Sequence, residues 1–395
     1  MADPPLISAA LTAMATHLAM GGEPAAPAAR AAERALLGMA GEPRGRAWSE
    51  AVRVLVVTEH YDVAGRELER ALADGGVAEV ADALALRADL RLRVGDLPQA
   101  LADARRLHAL AAVSGHPRAR GCAAARLAEA LLEIGAIDEA AGLFEESPLA
   151  ASAAALPGAY AAECVLLARG RLRLAQGRVD DAVEDLRECG RRALAAGTSS
   201  PAVVPWRSLL AGALRVRGEV GEARRLAADE LERARRCGAP RALGIALCGA
   251  GDDIELLQEA VAVLEGSAAR LERARALARL GAALRHAGHR LEARAPLRRA
   301  LDLAHRCGAT PLEEHALTEL RAAGARPRRR LASGAGALTP RERDVAELAA
   351  AGHMNREIAD ALYVTLDTVE YHLRHCYRKL GIISRNGLTT ALTSA

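Results

Sequence analysis

The sequence predicts an all-α protein, and three observations carry that prediction. The chain has 395 residues and is 51% apolar yet only 2% aromatic. Its apolar content is mainly Ala and Leu, which favours helices packed closely through small side chains over a strand-built core. A glycine-anchored phrase recurs along most of the chain at a spacing suited to pairs of helices. From Leu338 onward, the sequence reads as a succession of capped helices.

The N-terminal stretch MADPPLISAALTAMATHLAMGGEP holds Asp3 and two early prolines but no basic leader, so it does not read as a secretory signal. No apolar run approaches the roughly 18 residues that a membrane span needs, and the expected location is the cytoplasm. Basic residues number 53 against 50 acidic ones, a net +3 that names no partner. Lys379 is the single lysine, which removes a glycine-rich phosphate loop ending in Gly-Lys-Ser or Gly-Lys-Thr and, with it, an ATPase reading. The seven cysteines are scattered and never form a C-x-x-C pair, as expected of reduced, mostly buried thiols. No His, Asp, Glu or Cys cluster has metal-binding or catalytic spacing. The expectation is a non-enzyme without catalytic residues, metal or cofactor.

The recurring phrase is a glycine, three variable residues, then Gln, Glu or Asp, then Ala. It appears as GDLPQA, GAIDEA, GRVDDA, GEVGEA and GHRLEA, anchored at Gly95, Gly135, Gly177, Gly218 and Gly288, with a weaker GDDIELLQEA at Gly251. Seven residues before each of the five anchors stands a small residue: Ala88, Ala128, Gly170, Ala211 or Gly281. Five residues after each stands Ala100, Ala140, Ala182, Ala223 or Ala293. A first helix ending on a left-handed glycine, and a second starting a few residues later, make a helical hairpin whose small residues permit close approach. One hairpin cannot bury its own apolar face, so such units stack into a superhelix.

The pattern resembles the tetratricopeptide repeat over about residues 50 to 320, with a longer period. EHYDVAGRELERAL, starting at Glu59, looks like an earlier degenerate unit. Each residue of this array can be scaffold. Alternatively, its concave face binds a protein partner or a small-molecule effector. His108, His116, His286, His289 and His305 are expected in surface or core positions without recurring acidic partners.

From Arg321 the stretch RAAGARPRRRLASGAGALTP holds five arginines, two prolines and no acid, and reads as a hinge. Arg328, Arg329 and Arg330 there are either a solvated tether or a phosphate contact. The predicted domains are thus a repeat region over 1–325, a basic linker over 326–337 and a C-terminal domain over 338–395.

In the C-terminal domain, Thr339, Pro340 and Glu342 form a helix start with a capping box, Val345, Leu348 and Ala349 give the helix an apolar stripe, and Gly352 ends it. Asn355 is expected to cap a short second helix with Ile358, Ala359 and Leu362 facing inward. After a tight connection through Tyr363 and Val364, Thr365 caps a third helix that runs to Leu380 and stops at Gly381. A short helix, a brief connection and a longer helix make a helix-turn-helix. On the third helix, Val369, Leu373, Cys376 and Leu380 share one side, whereas Asp367, Tyr371, Arg374 and Arg378 share the other. His375, Lys379 and Arg385 add basic character nearby, and His372 sits at the core boundary. Ser384 caps a fourth helix with Leu388, Ala391 and Leu392 on one side, and a helical Gly387 costs it about 1 kcal/mol.

LTPRERDVAELAAAG, NREIADAL, TVEYHL and YRKLGIISR resemble, nearly phrase for phrase, the C-terminal DNA-binding domain of LuxR-type transcriptional regulators. The repeats also look like the corresponding part of the large ATP-binding members, although no nucleotide-binding module stands in this sequence. The resemblance implies base contacts by Glu370, Tyr371 and Arg374, and phosphate contacts by Thr365, Thr368, Arg378 and Lys379. It also implies pairing of two copies through the fourth helix, by Leu388, Ala391 and Leu392. Arg suits guanine, Glu accepts from cytosine and an aromatic edge packs on a thymine methyl. Glu370 can instead pair with Arg374 four residues on. The expectation is a homodimeric transcription regulator reading double-stranded DNA, with an effector or protein partner at the repeats. A helical-repeat scaffold with a vestigial DNA-binding domain is the alternative.

Overall fold

The computed structural model describes residues 4–114, 117–145, 159–325, 338, 340–362, 364–380, 382 and 384–393, and divides the chain into two compact units, 1–325 and 326–395. The expected linker 326–337, the capping Thr339, Tyr363, Gly381 and His116 lie outside the described residues, as do the side chains of Asp367 and Arg378. Every regular element among the described residues is helical.

Unit 1 is a succession of helical hairpins in sequence order, and its turns follow the glycine phrase. Helices α1 (Pro4–Gly21) and α2 (Ala25–Gly38) open it, followed by α3 (Arg46–Val57), α4 (Tyr61–Asp74), α5 (Val77–Val94), α6 (Leu97–Ser114), α7 (Pro117–Ile134) and α8 (Ile137–Glu145). Then come α9 (Ala159–Ala175), α10 (Val179–Ala195), α11 (Trp206–Arg217), α12 (Val220–Cys237), α13 (Pro240–Gly249), α14 (Ile254–Glu265), α15 (Arg270–His286), α16 (Arg290–Cys307) and α17 (Thr310–Ala322). All five strong anchors, with Gly251, adopt positive φ between helices of a pair. The degenerate unit keeps the same geometry without the glycine: Glu59 has φ +66°, an uncommon conformation for a residue with a Cβ. Its carboxylate accepts from the Arg241 amide at 2.6 Å and the Ser267 hydroxyl at 3.2 Å, which ties α4's start to the far repeats.

The small residues do what their spacing predicts. Ala88, Ala128, Ala211 and all five alanines after the anchors are fully buried. At Gly170 and Gly281 an added Cβ would come within 3.0 Å of Leu186 and 2.4 Å of Leu297, respectively. Where Ala replaces that glycine, at 88 and 211, the residue at the leucine's position is Ala104 or Ala227. At the remaining hairpin Ala128 stands with Phe144 at that position, so volume is exchanged across some hairpins but not all.

A second repeated device is ionic. Arg87 forks onto Asp103 at 2.7 and 2.8 Å, and Arg169 forks onto Asp185 at 2.6 and 2.9 Å. In both hairpins the arginine stands eight residues before the glycine and the aspartate eight after. A further arginine, Arg91 or Arg173, four residues before the glycine, joins the same carboxylate. Bidentate pairs fix relative orientation as well as adding energy.

The solenoid does not stay one-dimensional. Its later repeats rest on its earlier ones. Leu97, Leu271, Ala274, Leu277, Ala300, Cys307 and Ala309 form one core. Arg270 donates to the Val94 carbonyl at 3.0 Å, and Arg275 pairs with Glu133. Gly95 needs its missing Cβ for this contact as well as for its turn, since the atom would lie 2.8 Å from Cys307 Sγ and 3.0 Å from the Leu271 amide nitrogen. At the N-terminal end, the Ser199 and Ser200 amides donate to the Met20 carbonyl at 2.9 and 3.0 Å.

Unit 2 contains α18 (Pro340–Ala350), α19 (Asn355–Leu362), α20 (Leu366–Leu380), a 3-10 turn (Arg385–Gly387) and α21 (Leu388–Thr393). Leu338, Val345, Ala346, Ala349, Ile358, Ala359, Val369, Leu373, Cys376 and Leu388 form its core. Gly352, at φ +96°, ends the first helix turn as its position predicts. The α19 cap sits one residue earlier than expected: the Met354 amide donates to Glu357 Oε2 at 2.7 Å, and Asn355 is the first helical residue. Gly387 is not a helical liability. It lies in the 3-10 turn, where a Cβ would stand 2.9 Å from Ile382 Cγ2.

Candidate nucleic-acid interface

In unit 2, α19 and α20 are joined by residues 363–365 as a helix-turn-helix. Thr365 stands just before α20, where its Oγ1 accepts from the Thr368 amide at 3.3 Å and lies 2.7 Å from the Thr368 hydroxyl. This cap fixes where α20 begins and so which residues share each face. Val369, Leu373 and Cys376 point inward and are at most 5% exposed. Burial first, and then the neighbouring Glu342, push the Cys376 thiol up to about 11, so it stays protonated and donates to the Glu342 carbonyl at 3.2 Å.

The opposite side of α20 is solvent-facing. Tyr371 is 56% exposed, and Glu370 and Arg374 are exposed beside it. No ion pair joins Glu370 to Arg374 among the described residues, so the guanidinium is not held by the carboxylate four residues before it. The Tyr371 ring stacks on His375 with centroids 4.3 Å apart and meets His372 edge-on at 5.7 Å. These contacts orient the phenol along the helix. His372, at the core boundary, has Nδ1 buried with no partner among the described residues. Leu366, 46% exposed at the head of the same helix, is an exposed apolar side chain that sequence reasoning did not single out.

Two basic residues expected near this face have other occupations. Lys379 is half-buried and its ammonium is bound by the Glu342 carboxylate, which also lies 4.0 Å from His375 Nδ1. Arg385 is a clamp. Its guanidinium donates to the Ala349 carbonyl at 3.1 Å, to Asn355 Oδ1 at 3.1 Å and to the His353 carbonyl, joining the end of α18, the start of α19 and the 3-10 turn. Thr365 is exposed and Thr368 half-buried at the N-terminal end of α20. On α21, Leu388 is fully buried in the unit's own core, whereas Ala391 and Leu392 are half-exposed.

In the repeat unit, His289 and His305 have local acidic neighbours that spacing did not suggest, Glu292 at 3.2 Å and Glu313 at 3.3 Å. No group of three or more His, Cys, Asp and Glu residues able to hold a metal ion occurs among the described residues. No described helix is long and apolar enough to cross a membrane.

This geometry defines a helix-turn-helix domain with a polar, aromatic and basic face on its second helix. Residues 336–392 match the family described as bacterial regulatory proteins, luxR family, so this domain is a LuxR-family helix-turn-helix domain. An HTH-type transcriptional regulator of Mycobacterium bovis is 52% identical over 58 residues, which cover 15% of this chain and 7% of the relative. The transcriptional regulatory protein MctR of Rhizobium johnstonii is 46% identical over 59 residues, 15% of this chain and 28% of the relative. The chain thus aligns with only a small part of these relatives' length. The repeats have a counterpart among solved structures: a Rap protein complexed with competence and sporulation factor superposes with a TM-score of 0.55 and 14% identity, over 70% of this chain and 81% of that one. That likeness shows a tetratricopeptide-like helical-repeat fold.

Proposed function

We propose that this chain is a transcription regulator in which the C-terminal domain binds promoter DNA as a dimer and the repeat unit responds to an effector or a protein partner. The observation that carries it is the division of α20. Its apolar side is consumed by the core, while Glu370, Tyr371 and Arg374 stand exposed on a rigid rod of 15 residues. A helix so placed enters the major groove, with Arg374 donating to guanine, Glu370 accepting from cytosine and Tyr371 packing on a thymine methyl. Thr365, Thr368 and Arg378 approach phosphates, and Lys379 joins them by exchanging Glu342 for a phosphate oxygen. Two copies meet through α21, where half-exposed Ala391 and Leu392 offer the contact and Leu388 supports it from the core.

The relatives named for transcription regulation support this reading, as does the Rap structure, whose similarly folded repeats are complexed with a factor. Ligand or partner binding to the repeats then shifts the population of DNA-competent dimers. The test starts from duplexes enriched by the full chain out of random DNA. Arg374→Ala should lose about 1–3 kcal/mol on the enriched site and relax discrimination at one base pair, whereas Arg378→Ala should weaken all duplexes alike. Equal binding by wild type and both variants would favour a repeat scaffold with a vestigial DNA-binding domain.

A further inference from the structure

Within unit 1, where the later repeats close onto the earlier ones, lies a cavity of about 330 Å³. That volume falls in the range of small-molecule sites. Its wall is divided by chemistry. One part is apolar, with Leu167, Val204, Leu209, Ile245 and Leu271. The other is ionic and holds six guanidinium groups but four carboxylates.

The carboxylates are shared among the arginines. Asp89 is shared by Arg93 and Arg126, and Arg126 also takes Glu129. Glu133 is shared by Arg171 and Arg275, and Glu272 by Arg241 and Arg275. Arg279 turns to the exposed Asp252 and to two backbone carbonyls. Five arginines thus share four lining acids, and a fifth carboxylate, Glu59, accepts from the Arg241 amide just behind the wall. Asp89 and Glu133 stay ionised: burial raises their carboxyls, but the surrounding arginines outweigh it and bring each down to about 2. On the same lining residues, Arg241 Nε and Ser208 Oγ are buried without hydrogen-bond partners among the described residues. Unused donors on a wall rich in guanidinium groups are what a bound anion would satisfy.

We propose that this cavity is the effector site and that it takes a small organic monoanion: a carboxylate seated on the arginines around Arg241, with an apolar body against Leu209 and Ile245. This deepens the effector part of the function proposed above and rests on it only for the consequence of binding. The alternative occupant of a groove in helical repeats, an extended protein segment, is disfavoured by the burial of Asp89, Arg93, Glu129, Glu133 and Glu272 on the charged wall and becomes an outcome of the test.

The experiment uses the full chain and octanoate as the probe, with acetate, 1-octanol and octylamine as controls, read by isothermal titration calorimetry. Octanoate should bind with one-to-one stoichiometry, and acetate, octanol and octylamine should each bind at least about tenfold more weakly. Arg241→Gln should weaken octanoate about tenfold. Because that change also touches Glu272, a second variant, Ile245→Trp, fills the cavity from a half-exposed lining position and should abolish binding while leaving the helical circular dichroism unchanged. Arg374→Ala should bind octanoate like wild type, which separates failure of this site from failure of DNA reading. Octanol or octylamine binding as tightly as octanoate, octanoate binding unaffected by both cavity variants, or no octanoate binding at all would overturn the assignment.

Discussion

The two units of this chain handle charge in opposite ways. In unit 1, charged groups are drawn inside: Asp89, Arg93, Glu133, Glu230 and Glu272 are all less than a tenth exposed, and they sit in arginine–carboxylate networks between repeats. In unit 2 the core is apolar apart from one buried carboxylate, Glu342, which is paired with half-buried Lys379, and Glu370, Tyr371 and Arg374 are left outside. The difference teaches where each unit's polar groups are spent. Buried pairs add little net stability but penalise misregister heavily, because a lost partner leaves a charge stranded. Repeats built from near-identical alanine faces gain register from such pairs. A recognition helix has the reverse need, since a guanidinium already committed to a carboxylate is not available to a base.

Glu133→Ala would leave Arg171 and Arg275 facing each other without their shared carboxylate, and should cost about 3–5 kcal/mol. Both tryptophans, Trp48 and Trp206, are buried in unit 1, so tryptophan fluorescence in urea follows that unit alone; an unchanged midpoint would show the network to be idle. Glu163 offers a sharper probe. It is fully buried, neither carboxyl oxygen has a partner among the described residues, and burial pushes its carboxyl up to about 7 from 4.5. A raised folded-state value favours the neutral form, so the fold is relieved of this cost below pH 4.5 and loses stability as pH rises to about 7. Glu163→Gln should remove that loss and, at pH 8, be more stable than wild type by on the order of 2 kcal/mol. Parallel urea curves for the two proteins from pH 5 to 8 would contradict it.

Effects in unit 2 should be smaller. Arg385→Ala removes three hydrogen bonds from a half-buried clamp and should destabilise that unit by about 1–2 kcal/mol, followed by loss of near-ultraviolet tyrosine ellipticity, with the tryptophan transition unmoved. Smallest of all, Tyr371→Ala and Arg374→Ala should each shift unfolding by less than about 0.5 kcal/mol. A large loss of stability in either would mean that the exposed face of α20 is structural.

Much of this fold was legible in the sequence because the two signals that made it so are local. A glycine at a left-handed turn and an alanine at a helix crossing are each required by geometry within one hairpin, as Gly177, Gly170 and Ala182 illustrate. Glu59 hid its turn because a carboxylate held by Arg241 and Ser267, 182 and 208 residues away, supports a conformation that glycine would adopt freely. The closure of late repeats on early ones, and hence the cavity, was not legible for the same reason: its contacts join distant segments, such as Glu133 with Arg275. The Arg and Asp placed eight residues either side of Gly95 and Gly177 were a readable trace of the ionic network. On α20 the spacing of Val369, Leu373 and Cys376 identified the buried side, and Tyr371 and Arg374 stand exposed on the other. Arg385 and Lys379 were read as surface cations because sequence gives a charge but not its partner.

The central claim, that the outward side of α20 meets DNA, is tested most directly by placing the photo-reactive amino acid benzoylphenylalanine at position 371 of the full chain and irradiating it with the enriched duplex. The account predicts a cross-link mapped to a base within the enriched site, with none from the same group at exposed Leu37 in unit 1. Absence of a cross-link from position 371 under conditions where the duplex is fully bound would contradict it.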